Sequence, residues 1–120
     1  MYQIYGIKNC DTMKKALNWL NENNVDYVFH NYKTDGLTSS QLNHLMARLD
    51  WTVLLNTKGL TYRKLDKEVK AQLIYQSEAE KVILSNPSIV KRPILVKGDR
   101  AFIGFSIEGY GQFISETLNE

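Results

Sequence analysis

The sequence predicts an α/β fold: a mixed four-stranded sheet with helices on its faces and a helical insertion in mid-chain. Three observations carry this. Short β-prone runs alternate with amphipathic helical stripes at the start of the chain. Two late apolar runs, Pro93–Val96 and Ala101–Ile103, flank the turn Lys97-Gly98-Asp99-Arg100 and read as a hairpin. Everything between reads as helix and loop. The order is β-α-β, helices, then β-β-α, and a βαβ unit joined to a hairpin requires both parallel and antiparallel pairing.

Each element has a local reason. Residues 2–6 form a short strand. From Asp11 to Asn23, Met13, Ala16, Leu17 and Leu20 fall at i, i+3, i+4 and i+7, one helical stripe. Asn23-Asn24 ends that helix, and Val25–His30 is a second β-rich run. After the turn residues Thr34-Asp35-Gly36, Ser39 or Ser40 caps a helix striped by Leu42, Leu45, Met46 and Leu49. Thr52–Asn56 is a helical turn before the loop Thr57-Lys58-Gly59, and Asp66–Gln76 and Ser77–Leu84 are two further helices ending at Ser85-Asn86-Pro87. Ile107, Tyr110, Gly111 and Ile114 mark a final helix. The topology resembles a thioredoxin fold: a core of about 1–34 and 88–120 with an insertion of about 35–87, one domain over 1–120.

The bulk numbers exclude several function classes. A chain of 120 residues, 43% hydrophobic and 23% charged, suits one compact core. A net charge of +2 with acidic residues interspersed implies no nucleic-acid face. No apolar run reaches the roughly 18 residues that a membrane helix needs. The start, MYQIYGIKNC, lacks the build of a signal peptide, and a lone cysteine suits a reducing compartment, so a cytoplasmic domain is expected; it is taken to be a monomer.

That lone cysteine, Cys10, falls at the joint between the first strand and the first helix. A helix N-terminus carries partial positive charge and unsatisfied N–H groups, both of which stabilise a thiolate. Lys8 and Lys14 add positive charge while Asp11 opposes it. The residues alone leave two readings: a buried structural cysteine or an activated nucleophile. Arg92 and Pro93 are equally open. A proline opening a buried strand is uncommon, but most X–Pro bonds are trans, and Arg92 alone reads as a solvated arginine. His30 and His44 lack partners at metal-ligand spacing, so no metal site is expected; His44 reads as a surface residue and His30 as a strand end. Tyr62–Lys70 mixes both signs, as a solvated helix start does, and Gly104 reads as a turn or as a close backbone approach near Cys10. Trp19, Trp51 and the tyrosines show no spacing for base stacking and read as packing.

Four stretches in order, Ile4–Thr12 (IYGIKNCDT), Leu54–Gly59 (LLNTKG), Lys91–Val96 (KRPILV) and Ile103–Ser106 (IGFS), resemble the arsenate-reductase-like (ArsC/Spx) family of thioredoxin-fold proteins. The likeness covers essentially the whole chain and is nearest the YffB-like branch, described as glutathione-dependent thiol reductases. The resemblance implies that Cys10 is the nucleophile and that Pro93 is a cis proline shaping the site. It implies that Arg92 binds an anion, with Lys8, Asn9 and Thr12 of the first motif beside it. It also implies no bound cofactor, with glutathione as co-substrate and a small thiol or disulfide, or a glutaredoxin, as partner. Arsenate reductases of the family surround the oxyanion with three arginines. Here those positions hold Asn56, Arg92 and, in the stretch Phe102–Phe105, no arginine, so weak arsenate turnover is expected, with Lys58, Arg63 and Arg100 as the remaining basic candidates. Many Spx-type regulators carry Cys-x-x-Cys. Met13 stands at the second position here, so an external thiol must resolve any adduct of Cys10. The alternative implied by the same resemblance is a non-catalytic module that holds RNA polymerase or another protein.

Overall fold

The computed structural model describes residues Met1–Glu120, which divide into two compact units: 1–32 with 92–120, and 33–91. The first unit holds a four-stranded sheet in the order β2-β1-β3-β4, from β1 (Tyr2–Gly6), β2 (Tyr27–Asn31), β3 (Ile94–Lys97) and β4 (Arg100–Ile103). β1 pairs parallel with β2, with Tyr5 opposite His30 and Gly6 opposite Asn31. It pairs antiparallel with β3, which forms a hairpin with β4. The mixed sheet follows from the chain order: the crossover helix α1 (Asp11–Glu22) makes the parallel pair and the tight turn makes the antiparallel one.

β1 is buried at four of its five positions rather than alternating, because it is central and covered on both faces. One face packs the stripe of α1, with Met13, Ala16 and Leu20 fully enclosed beside Ile4 and Leu95. Tyr110 and Phe113 of α6 (Ile107–Thr117) join this cluster. Gly6 closes β1 beneath the Met13 side chain: a Cβ there would run into its Sδ, so any larger residue would force Met13 to move. At the opposite end the Tyr2 hydroxyl donates to Oγ1 of Thr117 at 2.8 Å, and that hydroxyl donates to the Phe113 carbonyl at 2.7 Å. Both polar groups are thereby satisfied inside the core.

The second unit is helical: α2 (Ser39–Met46), α3 (Leu60–Arg63), α4 (Lys67–Gln72) and α5 (Gln76–Ser85), with 3-10 turns at Trp51–Leu54 and Pro87–Ile89. An isolated bridge between Leu55 and Val90 ties its ends together, supported by Lys91 N–H to the Leu54 carbonyl at 2.8 Å. Three expectations need correcting here. The cap of α2 is Thr38, not Ser39 or Ser40. Its hydroxyl accepts from the Gln41 amide and the Gln41 side chain accepts from the Thr38 amide, a reciprocal capping box that serine one position later cannot form with Gln41. The run Tyr62–Lys70, expected to open one solvated helix, instead begins inside a separate short helix, α3, before α4 starts at Lys67. His44 is half-buried rather than on the surface. No helix is long and apolar enough to cross a membrane.

Candidate active site

α1 begins at Asp11, and Cys10 occupies its N-cap with an extended backbone (φ −139°, ψ 129°). The sulfur makes no ordinary capping hydrogen bond, and the amides of Met13 and Thr12 are the first-turn groups that act on it. Burial alone would raise the Cys10 pKa. The Met13 amide, the Arg92 guanidinium and the Thr12 amide all favour the anion, and together they outweigh burial, so the thiol pKa lies below its ordinary value. Cys10 is half-buried and is the only thiol, so no neighbouring cysteine can trap it.

Arg92 arrives from the other end of the chain. The Arg92–Pro93 bond is cis, Pro93 is buried, and β3 starts directly afterwards at Ile94. Burial opposes the guanidinium charge, but hydrogen bonds to Tyr32 and to the Cys10 sulfur more than offset it, so the Arg92 pKa is raised. Gly104, past the end of β4, donates its amide to the Pro93 carbonyl at 2.8 Å. Its φ of +87° lies in the left-handed region, which is the local demand for glycine, since a Cβ there would touch nothing within 4 Å.

Tyr32 is the residue that sequence reading missed. It is 1% exposed, and its amide bonds the Gly6 carbonyl at 3.1 Å, continuing the β2–β1 ladder to the edge where Cys10 sits. Burial, opposed by Arg92 and reinforced by the nearby Cys10, pushes its phenol up to about 12, so it is a neutral hydroxyl that accepts from Arg92 at ordinary pH. A signal for it did exist. Parallel strands deliver their C-terminal ends to one edge, and ligands gather at that edge, so the residue after β2 must lie near the one after β1.

The structure therefore brings together Cys10, the Thr12 amide, Arg92 and Tyr32. Lys8 and Asn9 form an exposed bend before Cys10, and the Thr12 side chain is exposed in the first turn of α1. His30 does not end its strand; it pairs opposite Tyr5 and stacks on that ring at 4.6 Å, 13° from parallel. Arg100 is committed elsewhere. It starts β4 at the far end of the hairpin from Pro93 and pairs with Glu116 at 2.8 Å. Lys58 and Arg63 belong to the helical unit.

The chain matches known proteins along nearly its whole length. The profile of the ArsC family matches residues 5–113. An uncharacterized protein of Haemophilus influenzae is 42% identical over 110 residues, covering 92% of this chain and 96% of its own length. A protein of Bacillus anthracis described as global transcriptional regulator Spx 2 is 26% identical over 98% of this chain and 90% of its own length. Among solved structures, the YffB protein is 44% identical with a TM-score of 0.86, covering 93% of this chain and 97% of that one. An arsenate reductase (ArsC) related protein from Brucella melitensis is 41% identical with a TM-score of 0.74, covering 94% and 93%.

Proposed function

The chain belongs to the ArsC family, and from that premise we propose that it is a cytosolic, monomeric monothiol oxidoreductase with Cys10 as nucleophile and glutathione as resolving thiol. The observation that carries this reading is the thiol at the N-cap of α1, its anion favoured jointly by first-turn amides and by Arg92. A structural cysteine has no need of a guanidinium. In the reaction, the Cys10 thiolate attacks one sulfur of a disulfide R–S–S–R′. The bond Cys10–S–S–R forms and R′–S⁻ leaves, taking a proton from water. A glutathione thiolate then attacks the R sulfur, giving R–S–S–glutathione and returning the Cys10 thiolate. Arg92 offers charge-assisted hydrogen bonds to the attacking thiolate and, once that charge is spent, to an anionic group of glutathione. Tyr32 holds Arg92 in place. On this reading Lys8, Asn9 and Thr12 line the approach, and a glutaredoxin is the alternative resolving partner.

The test is turnover, with glutathione, of a small mixed disulfide in which R is glutathione, with mass spectrometry of the Cys10–glutathione adduct that the first step then leaves. We expect turnover that Cys10→Ser abolishes. A rate no faster than free glutathione alone, with no adduct, would sink the reading. Arsenate turnover should be weak, because Arg92 alone remains of the family's three arginines, and charge-assisted pairs contribute about 1.5–3 kcal/mol each; efficient reduction at low arsenate would show that another cation serves. A second reading, a non-catalytic module for a protein partner, is favoured by the full-length likeness to the Spx 2 regulator. Partner binding that survives Cys10→Ser distinguishes it.

A further inference from the structure

We infer that the groove between α1 and the β4–α6 connection seats an apolar side chain of a peptide, so that the disulfide reduced at Cys10 is one borne by a protein cysteine. This rests on the oxidoreductase reading above. Lys15, Asn18, Trp19 and Glu22 form one stripe along α1, and Phe105 and Ile107 face them across a groove of about 270 Å³. Two walls are fixed from beneath. Trp19 and Phe105 meet the fully buried Tyr110 ring edge-on, at 5.6 Å and 4.8 Å between centroids. Such walls are preorganised, so an occupant does not bear the entropy of ordering them. Ile107, by contrast, is 69% exposed at the first position of α6, a large apolar side chain left in water at the groove's lip.

The groove's place points to the thiol. Lys15 lies five residues beyond Cys10, roughly 8 Å along the axis of α1. The opposite wall follows Gly104, whose amide holds the Pro93 carbonyl. Charge gives the occupant a direction. Lys15 and Glu22 are both exposed and neither is in an ion pair. Seven residues apart, they are separated by about 10 Å of helix, or about three residues of extended peptide. The complementary peptide has an acidic residue near its reactive cysteine, an apolar one next, and a basic one beyond. Glutathione has no apolar side chain and makes no use of the groove.

The substrate is then a peptide–glutathione disulfide. The Cys10 thiolate attacks the glutathione sulfur and the peptide thiolate leaves, taking a proton from water. A second glutathione thiolate attacks the glutathione sulfur of the adduct, giving glutathione disulfide and free Cys10 thiolate.

The experiment compares two synthetic peptides, each glutathionylated on a single cysteine followed by glutamate, then leucine or serine, then a spacer and arginine. We expect kcat/KM for the leucine peptide to exceed that for the serine peptide by about tenfold, and Ile107→Glu to bring that ratio near one. In a Trp51→Phe background, Trp19 fluorescence should shift on adding the leucine peptide with its cysteine replaced by serine. Equal rates on the two peptides, a preference that survives Ile107→Glu, or unmoved Trp19 fluorescence would overturn the assignment of the groove alone. No turnover of any disulfide, including the small disulfide of mercaptoethanol with glutathione, overturns the oxidoreductase reading and this assignment together.

Discussion

At Cys10 burial and hydrogen bonding pull in opposite directions, and the hydrogen-bonded side wins. The rate of alkylation by iodoacetamide against pH should therefore have its midpoint below that of an unstructured cysteine peptide measured alongside. Arg92→Ala should move that midpoint upward, because both the hydrogen bond and the charge of Arg92 favour the anion. An unchanged midpoint would mean that the amides of Thr12 and Met13 act alone. Tyr32→Phe removes a buried acceptor from Arg92, and should destabilise the fold by about 1 kcal/mol. A merely structural tyrosine would stop there. If Tyr32 positions Arg92, the alkylation profile must also change, and thermal melting and alkylation measured on the same variant separate the two roles. The sequence showed Cys10 readily, because a single thiol before a helical stripe has few rivals. Arg92 and Pro93 were visible only through their resemblance to family motifs, since an arginine before a proline is commonplace. Tyr32 was invisible, being one of seven tyrosines, and its role depends on the edge to which β2 delivers it.

Among the elements, those with strict periodicity were legible and those fixed by capping or by tertiary context were not. The stripe Met13-Ala16-Leu20 defines α1 because its burial period is helical, and the final helix is opened by the Ser106 hydroxyl accepting from the Gly109 amide. The cap of α2 escaped because Thr38, Ser39 and Ser40 are chemically alike, and only the reach to Gln41 chooses between them. Thr38→Ala should lower stability by about 1 kcal/mol, whereas Ser39→Ala, inside the first turn, should change it little; urea denaturation of the two variants decides this. α3 is four residues long and buries none of them, so it leaves no apolar stripe to read. Gly104 was open between two readings, and the structure favours the turn: it turns the chain toward α6 at a left-handed φ with its amide on the Pro93 carbonyl, whereas a Cβ there would meet open space, so no close approach requires the glycine. Gly104→Ala places a Cβ at a φ of +87°, so a loss of about 1–2 kcal/mol is expected. The space around it is open, so the loss should come from backbone strain alone, and Gly104→Asn, which tolerates left-handed geometry better, should recover part of it.

For the molecule as a whole, the forces at the thiol tie folding to redox state. A thiol whose folded pKa lies below its unfolded value binds fewer protons when folded. Its stabilising contribution is fully present above the unfolded pKa, near 8.5, and is lost as pH falls through the folded value. The difference in Tm between the reduced protein and Cys10→Ser should therefore grow as pH rises toward about 8.5. The slope is the quantity to read, because serine is itself a good N-cap and shifts the absolute Tm. Joining Cys10 to glutathione removes the anion that the Met13 and Thr12 amides and Arg92 favour. The mixed disulfide should then melt below the reduced protein at pH 8, and the gap should shrink as pH falls. By the same linkage the adduct is readily reduced, as a one-cysteine enzyme that relies on an external thiol requires. An adduct as stable as the reduced protein at pH 8 would show that glutathione gains contacts, at Arg92 first of all, that replace those lost by the thiolate. Arg92→Ala distinguishes that case, because it would lower the Tm of the adduct more than that of the reduced protein.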